Sequence, residues 1–229
     1  MAKLLDYAAM CSGAYKAPDS PDVPGFQSPM SMAGDAGFKG AIYHSSIEVV
    51  VAFAGTELDQ GAGAAIQDIT ADLRLMTDMP RQMNDARVLF EYGQKYQAAL
   101  NLPHITVCGH SLGGGLTQFM AYWSKENFVT FNAPGVYTAI QGVKFCFLHS
   151  PQKALRTWKA TFAGHADGYN YRMPDDAVSR LGIHYGRLIT IQGGEMDGGV
   201  GRVLAAHMLG AISRCLQLTP WGSRRPFGY

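Results

Sequence analysis

Residues 105–115 read Ile-Thr-Val-Cys-Gly-His-Ser-Leu-Gly-Gly-Gly, which sets Gly-x-Ser-x-Gly between an apolar run and an amphipathic one. In that context Ser111 sits on a sharp strand-to-helix turn, with its hydroxyl projecting above the sheet edge. Gly109 and Gly113 suit such a turn, because side chains there would collide as the backbone doubles back. The helix that follows supplies unpaired N–H groups and a partial positive charge, the surroundings an oxyanion needs. A Gly-rich chain can hold this pattern by chance, but its place directly after a buried strand argues for chemistry. That chemistry is attack by a serine on a carbonyl carbon.

The elements around Ser111 must then be those of an α/β sheet. Val49 to Ala54 is apolar at every position, as expected of a central parallel strand covered on both faces. Short strands are predicted at 40–44, 48–54, 104–109, 128–132 and 144–148. Amphipathic helices are predicted at 4–15, 87–100 and 112–123. The alternation of strand and helix implies a mostly parallel sheet with helices on both faces and right-handed crossovers. Pro18, Pro21, Pro24 and Pro29 point to a long surface loop from 16 to 40. The tail from Thr219 carries Pro, Gly and the pair Arg224-Arg225, and reads as a loosely held end, leaving 1–218 as a single domain.

Composition narrows the function class. With 229 residues, 47% of them apolar and 16% charged, the chain has enough apolar area to offset the entropy of ordering. Basic and acidic residues nearly cancel at 19 and 18, so nucleic acid is not an expected partner. A membrane span needs about 18 apolar residues in a row, far more than Val49 to Ala54 supplies. Cys11, Cys108, Cys146 and Cys215 are scattered and match no zinc or disulfide pattern, so they read as reduced packing residues. Residues 1–6 lack the apolar region of a signal peptide. Synthesis in a reducing cytoplasm is expected, with any export left to a signal-independent machine.

The chain resembles class 3 (fungal-type) lipases, a branch of the α/β-hydrolases, in four segments that keep the family's order. Tyr7 to Tyr15 resembles the opening helix, and Val49 to Thr56 the strand ending in the oxyanion Gly-Ser/Thr. Gly109 to Gly114 matches the serine elbow, and Thr130 to Val136 the strand and Ala-Pro turn after it. The similarity runs from about residue 4 to about residue 210. This chain departs from the family where Ala54 replaces Arg, Asn132 replaces Gly and Gly135 replaces Arg.

A serine near neutral pH needs a base, and the base needs an acid to orient it. In this fold both follow the serine in the chain, which leaves His149, His165, His184 and His207. The resemblance assigns Asp176 as the acid and His207 as the base, with His184 as the alternative base. Asp175, Asp167 and Asp197 are the other acids considered. His110 is expected to pack against the turn. Thr56, through its N–H and hydroxyl, and the N–H of Leu112 are the expected oxyanion donors, and residues 57–70 are the expected lid. The implied reaction is hydrolysis of lipid acyl esters by a lipase or phospholipase through an acyl-enzyme, at a lipid interface, without metal or organic cofactor. An inactive hydrolase fold that binds an acyl ligand or protein, and a thioesterase or peptidase, are the rival functions. Short proteins of this kind without signal peptides include bacterial effectors delivered into rival or host cells. Those are often neutralised by a bound immunity protein, and an immunity or chaperone protein is the partner such a setting implies.

Overall fold

The computed structural model describes residues 1–55, 74–137, 167–192 and 206–227. Seven strands pair in chain order into one sheet: β1 (Gln27–Ala33), β2 (Lys39–His44), β3 (Glu48–Phe53), β4 (His104–His110), β5 (Asn127–Phe131), β6 (Gly168–Arg172) and β7 (Arg187–Thr190). The first three strands pair antiparallel and β3 to β7 run parallel. The described helices are α1 (Leu4–Ala14), α2 (Arg74–Ala99), α3 (Leu112–Ser124) and α4 (Leu209–Leu218). None is long and apolar enough to cross a membrane.

Alternation along each strand divides the core into two layers. On β3, Val50 and Ala52 face the layer built with Tyr7 and Cys11 of α1 and Ile212 and Leu216 of α4. Val49, Val51 and Phe53 face the layer built with Leu89 of α2 and Leu116 of α3. All six residues of β3 are buried, and the unbroken apolar run from Val49 to Phe53 reports a strand with helices on both sides.

Three expectations need correction. The stretch from 16 to 40 contains β1, an edge strand that tolerates Pro29 where its register with β2 is broken. α2 begins at Arg74 and runs through Pro80, well before the expected start at Arg87. The tail from Thr219 is docked over its described part. Residues 220–223 form a 3-10 turn, and the Leu4 N–H donates to the Arg224 carbonyl at 2.9 Å. Phe227 is buried, with its ring against Tyr7 and Tyr169. Two aromatic anchors, Trp221 and Phe227, outweigh the loop-like composition around them. The expected strand at 144–148 and Cys146 lie outside the described residues, while Cys11, Cys108 and Cys215 are buried free thiols.

Candidate active site

β4 ends at His110 and α3 begins at Leu112, so Ser111 is the single residue between strand and helix. Its backbone takes φ 55° and ψ −129°, a combination that costs energy for any residue with a Cβ. Neighbouring bonds enforce it. The Ser111 N–H donates to the Phe131 carbonyl at 3.1 Å, and the Ser111 carbonyl accepts from the N–H of Gly114 at 2.9 Å. A Cβ at Gly109 would lie 2.3 Å from the Gly113 carbonyl oxygen, and one at Gly113 would lie 2.3 Å from that of Phe53. The two collisions expected from the sequence are both present.

The serine hydroxyl lies 2.9 Å from Nε2 of His207, and Nδ1 of His207 lies 2.7 Å from Oδ1 of Asp176. A carboxylate only accepts, so Nδ1 carries the proton and Nε2 offers its lone pair to the Ser111 hydroxyl. The three residues are 5%, 4% and 0% exposed for Ser111, His207 and Asp176. Burial by itself would raise the Asp176 carboxyl. The hydrogen bond and charge of His207, with the bonds from Ser179, outweigh burial and hold it below the usual carboxylate value. The Ser179 N–H donates to Oδ2 at 2.8 Å, from the 3-10 turn that follows the acid.

Of the adjacent aspartates it is Asp176 that bonds His207, and Asp175 is the partly exposed one. Asp167 is exposed, immediately before β6. His184 instead sits with Nε2 2.9 Å from the Ala133 carbonyl oxygen. His207 is a buried residue lying before Met208, the N-cap of α4. Leu112 is the first residue of α3, where N–H groups lack intrahelical acceptors. Thr56, the residues 57–70 expected as a lid, His149, His165 and Asp197 lie outside the described residues. Among the described residues no group of three or more His, Cys, Asp or Glu is placed to hold a metal ion.

Behind these side chains lies a second layer, in which His110 packs against the turn as expected and also bonds the backbone of the base. His110 puts Nε2 2.8 Å from the His207 carbonyl oxygen and Nδ1 2.8 Å from the Tyr15 hydroxyl. The carbonyl only accepts, so Nε2 carries the proton and Tyr15 donates to Nδ1. Burial, then the neighbouring His207, push the His110 imidazole down to about 3, so it stays neutral beside the other ring. Asn132 bonds the same stretch of backbone, and only its unusual residue type at that position marked it in the sequence. At Gly135, where the resembled family has Arg, even a Cβ would lie 2.4 Å from the Ile183 backbone. The close pairing of 135–137 with 181–183 leaves no room for a side chain there.

A family model described as phospholipase-like, the Tle-like phospholipase domain, matches residues 11–146. The match includes Ser111 and stops short of Asp176 and His207. Among solved structures, a lipase from Rhizopus microsporus var. chinensis aligns with a TM-score of 0.59 at 15% identity, over 96% of this chain and 86% of that one. Lipase II from Rhizopus niveus aligns at 0.56 and 16% identity, over 82% and 79%. The mono- and diacylglycerol lipase from Aspergillus oryzae aligns at 0.51 and 16% identity, over 87% and 81%. A search of curated proteins finds no match. Likeness at such identity speaks for the fold, and the fold is that of the α/β-hydrolases.

Proposed function

This chain belongs to the Tle-like phospholipase domain family, and from that premise we propose that Ser111, His207 and Asp176 are its catalytic triad, acting on the acyl ester of a phospholipid. Family membership makes the chain a lipolytic serine ester hydrolase. The observation that supports the triad is the unbroken chain of bonds, 2.9 Å from Ser111 to His207 and 2.7 Å from His207 to Asp176. His207 takes the hydroxyl proton at Nε2 as the serine oxygen attacks the ester carbonyl. The oxyanion is received by the Leu112 N–H, with Thr56 as the second proposed donor. His207 then returns the proton to the departing alcohol, leaving an acyl-serine. Water, deprotonated by the same Nε2, releases the fatty acid. Asp176 holds the imidazole tautomer and stabilises the imidazolium at each step.

The test is incubation of wild type and Ser111→Ala with mixed phospholipid and triglyceride vesicles, read by lipid profiling. Wild type should release fatty acid and lysophospholipid, and Ser111→Ala should lose turnover by several orders of magnitude. More than a tenth of the wild-type rate in Ser111→Ala would overturn the serine mechanism. An active-site fluorophosphonate should label wild type at Ser111, and failure to label would favour the inactive binding fold. The setting that goes with a phospholipase reading is attack on another cell's membrane, with an immunity or chaperone protein as partner. Wild type directed to the periplasm should then arrest growth and Ser111→Ala should not. Equal growth would remove that setting.

A further inference from the structure

Asn132 follows the last residue of β5 and is fully buried. Its side chain bridges segments far apart in the chain. Nδ2 donates to the carbonyls of Ala206 at 2.7 Å and His207 at 3.2 Å, while Oδ1 accepts from the Met173 N–H at 2.9 Å. Its own backbone N–H donates to the Tyr171 carbonyl at 2.8 Å. One amide thus joins the end of β5, the end of β6 three residues before Asp176, and the backbone that carries His207.

We infer that Asn132 is a positioning residue for the histidine. It fixes the His207 backbone relative to Asp176 and Ser111, so that both imidazole nitrogens meet their partners. The inference rests on the triad reading given above. His207 is the last helical residue before the break at Met208. The hydrogen bonds of α4 begin only at the Met208 carbonyl, which accepts from Ala211 and Ile212, so the His207 carbonyl takes its donors from elsewhere in the fold. The His207 carbonyl is gripped from two sides, by Nδ2 of Asn132 and by Nε2 of His110. His110 adjoins Ser111 and Asn132 adjoins β5, so the grip refers the base to the same sheet edge that presents the nucleophile. A competing explanation is purely conformational. Asn132 has φ 45°, in the left-handed region that asparagine tolerates better than most residues. Glycine, which the resembled family carries here, would adopt that backbone at less cost. If conformation alone mattered, glycine would serve at least as well.

Asn132→Gly separates the two explanations, measured on a soluble short-chain ester. Turnover should fall by about ten- to a hundredfold with KM within about twofold, as expected when a reacting group is misplaced by an ångström or less. Fluorophosphonate labelling of Ser111 should slow by a similar factor. The acid limb of the pH–rate profile should move to lower pH, because a loosened Asp176 contact stabilises the imidazolium less. Asn132→Asp keeps size and the acceptor for Met173 but removes the donors, and should show the same loss. It carries the test if the glycine variant does not fold. Unchanged turnover and an unchanged acid limb in the folded variants would overturn the inference, even if the melting temperature falls. Ser111→Ala is measured alongside. Should it stay active, the triad reading fails; should it be inactive while both Asn132 variants run at the wild-type rate, only the positioning role fails.

Discussion

Glu48, at the amino end of β3, and Asp176, beyond the carboxyl end of β6, are both fully shielded from solvent, yet their carboxyls shift in opposite directions. At Glu48 burial wins and the carboxyl rises, although the Ala2 N–H and the Tyr7 hydroxyl donate to it and the Met1 amino group lies 3.7 Å away. At Asp176 burial loses, because one partner is an imidazole that can itself take up charge, and backbone N–H groups of the following turn point at the oxygens. Burial of an acid is therefore no mark of function in this molecule. What separates the two is whether the surroundings stabilise the charged form. The separation also follows the sheet, since the carboxyl ends of parallel strands are where α/β folds assemble their sites.

The largest expected effect tests the Asp176 side of this contrast. Asp176→Asn should lower turnover by about 10⁴-fold, because the imidazole tautomer is no longer held, with the fold retained by circular dichroism. A loss under tenfold would place the acid elsewhere. The same carboxylate should support stability in a defined pH window. Its folded value is depressed, so the contribution is present above the unfolded value near 3.9 and is lost as pH falls through the folded one. The melting-temperature advantage of wild type over Asp176→Asn should therefore shrink on acidification below about pH 4. An advantage that grew instead would contradict the direction of the shift.

Asp175→Asn sharpens the contrast at a distance of one residue. Asp175 is partly exposed while Asp176 turns inward, so its loss should cost less than about tenfold in turnover. The reverse ranking of the two asparagine variants would overturn the assignment of the acid.

How much of this was visible in the sequence depends on whether each signal is local. β3 was legible because every position after Glu48 is apolar, and the elbow because two glycines and a serine occupy five consecutive residues. β1 was hidden by its prolines and by an edge position that leaves its side chains exposed or half-buried. β6, Gly-Tyr-Asn-Tyr-Arg, has no apolar run to announce it, although Tyr171 and Asn170 are buried. Asp176 and His207 emerged only through resemblance, since 31 residues separate them and no spacing rule links them. Asn132 was least visible. It was legible as an odd residue for its position, but its partners lie 41, 74 and 75 residues away. A side chain that ties distant segments has no local periodicity to betray it.

The smallest expected effect on activity belongs to Glu48, and its sign on stability is opposite to that of Asp176. Glu48→Gln should leave turnover within about twofold, because the residue sits at the opposite end of the strands from Ser111. Its folded carboxyl is raised, so below the unfolded value near 4.3 both states are protonated and ionisation costs nothing. As pH rises above that value the unfolded chain ionises first, and wild type loses stability until the folded carboxyl also gives up its proton. The glutamine variant has no such loss. The melting temperature of Glu48→Gln relative to wild type should therefore climb between about pH 4 and the raised folded value, then level off. A relative melting temperature that fell over that window would mean the donors at Glu48 outweigh burial, and the two buried acids would then be alike in direction and differ only in their partners.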